Sequence, residues 1–97
     1  MKIDIQKLLF AARRMRIITL PARLEIIKII SENEKINVTQ IVSMVNMKQA
    51  ETSAHLILLE QYGILNKTRI GRESFYSLNQ EGMDEIIRIS EELSKFN

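Results

Sequence analysis

Residues 36 to 59 constrain this chain most, because they ask for two short helices with almost no chain between them. Asn37 and Gln40 stand at capping-box spacing, and Ile36 and Ile41 flank the cap at hydrophobic-staple spacing. Val38, Ile41, Val42 and Val45 then recur at i, i+3, i+4, i+7, the period of one apolar helical face. Asn46 ends that helix on this reading, since asparagine tolerates the left-handed conformation found past helix ends. Met47 leads straight into a second short helix over 48–59, where Thr52, Leu56 and Leu59 share a core-facing side. Two short helices joined by a tight turn make a helix-turn-helix.

The second of these helices has another side. Gln49, Ser53 and His55 are of medium length, uncharged or weakly basic, and able to donate and accept hydrogen bonds. That chemistry suits a helix entering the DNA major groove, where base edges offer donors and acceptors. Lys48, Ala50, Glu51 and Thr52 complete the stretch assigned to DNA contact. A plain solvated surface helix would carry similar residues, so the flanking chain has to decide.

Gly63 is a natural helix stop, and two strand-like runs follow, Leu65–Ile70 and Glu73–Leu78. Gly71-Arg72 between them is a two-residue hairpin signal of the Gly-X kind. Phe75 should face one way and Tyr76 the other. Lys67, Arg69 and Arg72 lie close together with only Glu73 opposing them. A basic hairpin directly after a helix-turn-helix is a wing, and its Lys67, Arg69, Gly71 and Arg72 are assigned to backbone phosphate or the minor groove.

The terminal segments read as helices with too much apolar surface for one small subunit. Ile5, Leu8, Leu9 and Ala12 form one stripe, while Phe10, Arg14 and Ile17 lie on another face. Arg13, Arg14 and Arg16 form a basic cluster: a phosphate contact, a solvated helix face, or a set of ion-pair partners. Thr19 and Pro21 mark a restart, with Thr19 as the expected N-cap and Leu24, Ile27 and Ile30 as the next apolar stripe. Asn79 should cap a last helix over 80–95, striped by Ile86, Ile89, Leu93 and Phe96 and widened by Met83 and Ile87. Pairing the first and last helices across a twofold axis would bury both, so these stripes are assigned to a homodimer interface.

Composition removes other classes. At 97 residues the chain is expected to be a single domain, 1–97. With no cysteine it has no disulfide, thiolate zinc site or thiol switch. One histidine, no nucleophile–base constellation and no Gly-rich phosphate loop argue against an enzyme and against a cofactor. The net charge of +2 and pI near 9.1 permit a nucleic-acid partner. The carboxylates Asp84, Glu85, Glu91 and Glu92 are read as solvated charges, and no metal site is assigned. No apolar run reaches the roughly 18 residues of a membrane span. Asp4 and Gln6 interrupt any leader-like apolar block, so a cytoplasmic address is expected.

With that order of elements in hand, the chain resembles the ArsR-type winged-helix transcriptional repressors. The resemblance rests on Pro21, Arg23 and Leu24; on Gln49, Ser53, His55 and Leu56; on Gly63 and Ile64; and on Arg69, Gly71, Arg72, Phe75 and Tyr76. It implies a mainly α fold with a small β-hairpin, in the order α-α-α-α-β-β-α, and a homodimer built on the terminal helices. It implies double-stranded DNA as partner, a partly palindromic operator with half-sites roughly 34–36 Å apart, and repression by promoter occupancy. It also implies a phosphate or base contact for His55, which the residues alone leave open as a partly buried packing residue.

The departures from the family pattern bear on sensing. Its metal sensors carry Cys-x-Cys where this chain has Asn37 and Thr39, so the common inducers find no ligands and the effector stays unassigned. Ala54 and Ile57 stand where relatives carry arginine and lysine, and Glu51 would repel phosphate. These three motivate the alternative: a winged-helix protein-interaction or dimerisation module with little sequence-specific DNA binding.

Overall fold

The computed structural model describes residues 3–95. Eight elements follow in order: α1 (Ile5–Ile18), α2 (Pro21–Ser31), β1 (Ile36–Asn37), α3 (Val38–Met44), α4 (Gln49–Gln61), β2 (Leu65–Ile70), β3 (Glu73–Leu78) and α5 (Gln80–Ser94). The three strands form one antiparallel sheet in the order β1-β3-β2. This is a winged helix-turn-helix, mainly helical, with the expected hairpin strands at the expected bounds.

Strand β1 was not anticipated. At two residues it is too short to show alternation, and its pairing of Ile36 with Tyr76 is set by the partner strand. The same two residues carry the predicted helix start. The Asn37 side chain accepts from Gln40 N–H at 2.8 Å, and the Gln40 side chain accepts from Asn37 N–H at 3.0 Å. Ile36 and Ile41 are both buried, as a staple requires.

Two expected helix boundaries and one buried position fall differently. Thr19 does not cap α2; its hydroxyl donates back to Met15 O at 2.7 Å and closes α1, while Leu20 occupies the N-cap without a side-chain bond. Pro21 at the first helical position, which needs no N–H, suffices there. Asn46 is not left-handed, since among the described residues no non-glycine has positive φ; α3 ends at Val45, which is extended. Leu24 is 47% exposed, and Ile26 takes its place with Ile27 and Ile30 on the buried face of α2.

Ile26, Ile30, Ile41, Leu56, Leu59, Ile64 and Leu65 fill the core, each at most 2% exposed. Burying such a side chain stabilises the fold by about 1.5–3 kcal/mol. Helix α4 enters this core by its Thr52, Leu56 and Leu59 face and leaves it through a Schellman turn. Gly63, at φ +73°, donates to Glu60 O at 3.1 Å, and Ile64 N–H donates to Leu59 O at 3.0 Å.

Helices α1 and α5 are joined through a buried arginine. Arg14 is 4% exposed; its Nη2 donates to Gly82 O at 3.2 Å, and Nη1 lies 3.6 Å from Glu85 Oε2. Its guanidinium also sits 5.4 Å from the Phe10 ring centre. Arg14 is therefore an ion-pair partner, and the solvated-face reading of the cluster does not hold for it. Gly82 is the close approach in this packing: a β-carbon there would overlap the Gly63 carbonyl oxygen. No described helix is long and apolar enough to cross a membrane.

Candidate nucleic-acid interface

The geometry of α4 follows from its buried face. With Thr52, Leu56 and Leu59 inside, the helical period turns Ala50 and Ala54 to the opposite side, and both are exposed. Ile57, 49% exposed, continues that side one turn further. Gln49 is exposed and Ser53 half-buried on the flank toward the sheet. They line one open cleft with Thr39 at the start of α3 and Arg72, Glu73 and Ser74 at the wing turn. The fold thus brings the polar flank of the recognition helix, the first turn of α3 and the tip of the wing to one side of the molecule.

On the other flank, Lys48 and Glu51 border a hollow with the turn residues Val45, Asn46 and Met47. His55 lies on this side too, its side chain 14% exposed. Its Nδ1 accepts from Arg23 Nε at 3.1 Å, so the neutral ring carries its proton on Nε2, which lies 4.0 Å from Glu51 Oε1. A second arginine nitrogen, Nη1, donates to Ile17 O at 3.2 Å. Arg23 therefore ties the end of α1 to the middle of α4, and His55 is held as a packed, hydrogen-bonded residue.

Thr52 needs correction as a DNA-contacting residue. It is fully buried, and its hydroxyl donates to Lys48 O at 3.0 Å. Its β-branched methyl fits the core, and its one polar atom is satisfied within the helix. Lys48, Gln49, Ala50 and Glu51 are placed at the surface.

In the wing, Gly71 has φ +62° while Arg72 does not share the positive region, the arrangement of a type II′ turn. Lys67, Arg69, Gly71 and Arg72 are all exposed. Lys67 and Arg69, two residues apart, share one face of the hairpin. Tyr76 is 3% exposed and Phe75 half-buried, on opposite faces as expected. Burial, then the nearby Glu60 carboxylate, pushes the Tyr76 phenol above its ordinary pKa. Lys35 lies 5.4 Å from the Phe75 ring centre and adds a cation at the base of the wing. Neither Lys35 nor Arg23 was singled out for this surface, because each depends on a partner more than thirty residues away.

Of the residues assigned to a subunit interface, Ile5, Leu8 and Leu9 are 56%, 47% and 54% exposed, and Ala12 is exposed. Leu93 is 50% exposed and Ile89 half-buried. Ile86, 4% exposed, is already inside the subunit's own core, because its turn of α5 packs inward. Phe96 lies outside the described residues.

Comparison with known proteins agrees with this architecture. A family profile described as bacterial regulatory protein, arsR family, matches residues 21–67. The chain is 30% identical over 88 residues to the transcriptional repressor PagR of Bacillus anthracis, covering 91% of this chain and 88% of PagR. The PagR structure superposes with a TM-score of 0.73 over 89% of this chain and 98% of that one. The helix-turn-helix regulator MJ1325 of Methanocaldococcus jannaschii is 33% identical over 73 residues, 75% of this chain and 82% of the relative. An ArsR-like regulator from Rhodococcus sp. RHA1 shares the fold at a TM-score of 0.80 and 16% identity, over 93% of this chain and 84% of that one. The chain belongs to the arsR family of regulatory proteins: it is a DNA-binding transcriptional regulator and not an enzyme.

Proposed function

We propose that this single-domain regulator works in the cytoplasm as a homodimeric repressor, each protomer laying α4 in a major groove and its wing along the adjacent backbone. The observation that carries the reading is the exposed apolar surface of the terminal helices. Ile5, Leu8, Leu9 and Phe10 on α1, with Ile87 and Leu93 on α5, are each 47–56% exposed. A second copy is the occupant that suits such a surface, because a twofold axis would cover α1 and α5 of both chains at once. Two recognition helices related by that axis would meet a partly palindromic operator with half-sites roughly 34–36 Å apart.

Sensing by thiolate-bound metal has no ligands in this chain, which has no cysteine. Asn37, at the position of the family's first cysteine, is committed to the capping box. Selection of bound duplexes from a random pool tests the proposal. A preferred site with twofold symmetry supports it, and a preferred site without symmetry contradicts the dimeric reading.

A further inference from the structure

We propose that α4 recognises A·T-rich half-sites, with Ala50 and Ala54 seated against thymine 5-methyl groups and Gln49 bonded to adenine. The proposal rests on the reading that α4 enters the major groove, and it names what the helix meets there.

The exposed surface of α4 lacks the basic side chains that most often read guanine. From Gln49 to Gln61 there is no arginine or lysine. Paired donors from those residues to guanine O6 and N7 are the commonest specific contact in the major groove. Of the cations around α4, Lys48 lies at the N-cap beside the hollow on the turn side, Arg23 is held against His55, and Arg72 belongs to the wing and borders the Gln49–Ser53 cleft. The characteristic contact to cytosine is a carboxylate accepting from N4. Glu51 lies on that same turn side near His55, away from the Gln49–Ser53 cleft.

What the surface does carry matches an A·T pair. Ala50 and Ala54 are one turn apart, exposed, and opposite the buried Thr52–Leu56–Leu59 face. Alanine methyls are short, so they let the helix lie close to the groove floor, where the thymine methyl projects. Ile57, 49% exposed, extends the same apolar track. Beside it, Gln49 offers the amide that pairs with adenine N6 and N7. The wing points the same way: Arg69 and Arg72 are exposed, and the narrow minor groove of A-tracts attracts arginine.

The test uses the full chain and the duplex recovered from a random pool, with each thymine replaced in turn by deoxyuridine, which removes only the 5-methyl group. Affinity is read by fluorescence anisotropy at fixed salt. At one or more thymines per half-site, wild type should lose roughly fourfold in Kd, the equivalent of one buried methyl. In Ala50→Ser or Ala54→Ser that penalty should fall below about twofold at the matching position. A preferred site with G·C at the groove-facing positions, or one indifferent to deoxyuridine throughout, overturns the methyl reading and leaves groove binding intact. A penalty unchanged in both serine variants overturns the assignment to these alanines. A pool yielding no preferred sequence overturns groove readout itself, and this inference with it.

Discussion

Arg23 Nε donates to His55 Nδ1 across 3.1 Å, joining the first turn of α2 to the recognition helix. The same guanidinium holds Ile17 O, so one side chain spans α1, α2 and α4. This makes Arg23 a positioning residue for α4. Arg23→Ala should lower stability by about 1.5–3 kcal/mol, the range for a hydrogen bond involving a charged group. His55→Ala in that background should then cost less than it does alone. A double-mutant cycle in urea checks this, with an expected coupling above about 0.5 kcal/mol.

Gly82 has no room for a side chain, because the Gly63 carbonyl oxygen occupies the place of its β-carbon. Gly82→Ala must push α5 away from the end of α4, and Arg14 with it. The expected loss is about 2–3 kcal/mol by denaturant unfolding. Gly71 gives the contrast: its β-carbon would meet open space, so Gly71→Ala should lose only the strain of φ +62°, about 1–2 kcal/mol.

Arg69 and Arg72 stand on the hairpin, with Arg72 bordering the Gln49–Ser53 cleft, and both are assigned to backbone phosphate. Replacing either with alanine should weaken binding to all duplexes alike. Each should lower the slope of log affinity against log salt by about one. Gln49→Ala should leave that slope unchanged and relax sequence preference instead.

Tyr76 supplies a pH dependence. Its phenol is pushed above the ordinary value of 10.0 by burial first and the Glu60 carboxylate second. The folded chain therefore keeps this proton to higher pH than the unfolded chain does. The unfolded state binds fewer protons between the two values, so stability falls as pH rises there. This contribution is fully present below about pH 10 and is lost as pH rises through the raised folded value. Tyr76→Phe should flatten the alkaline limb of urea midpoint against pH.

Local chemistry made much of this fold legible. Asn37 with Gln40, Gly63, Gly71 and Asn79 each announce a cap or turn through bonds made within a few residues. The opposite facing of Phe75 and Tyr76 likewise needs only the strand period. What stayed hidden depends on distant partners. Arg14 reads as a surface arginine until the Gly82 carbonyl and Glu85 arrive from the other end of the chain. Strand β1 exists because β3 offers it an edge. Neither periodicity nor residue type says which side of α2 faces the sheet, and it is Ile26, not Leu24, that lies inside. For the candidate site, the exposure of Gln49 and the wing cations followed from pattern. The inward setting of His55 was left open by pattern alone, since Arg23, which fixes it, lies thirty-two residues away.

The mass of the complex between the chain and one operator-length duplex, measured by sedimentation, tests the central claim most directly. Two chains on one duplex are expected for wild type, with Leu9→Glu reducing this to a single weakly held chain. One wild-type chain per duplex at saturation, or a Leu9→Glu complex identical to wild type, would contradict a regulator built on paired terminal helices.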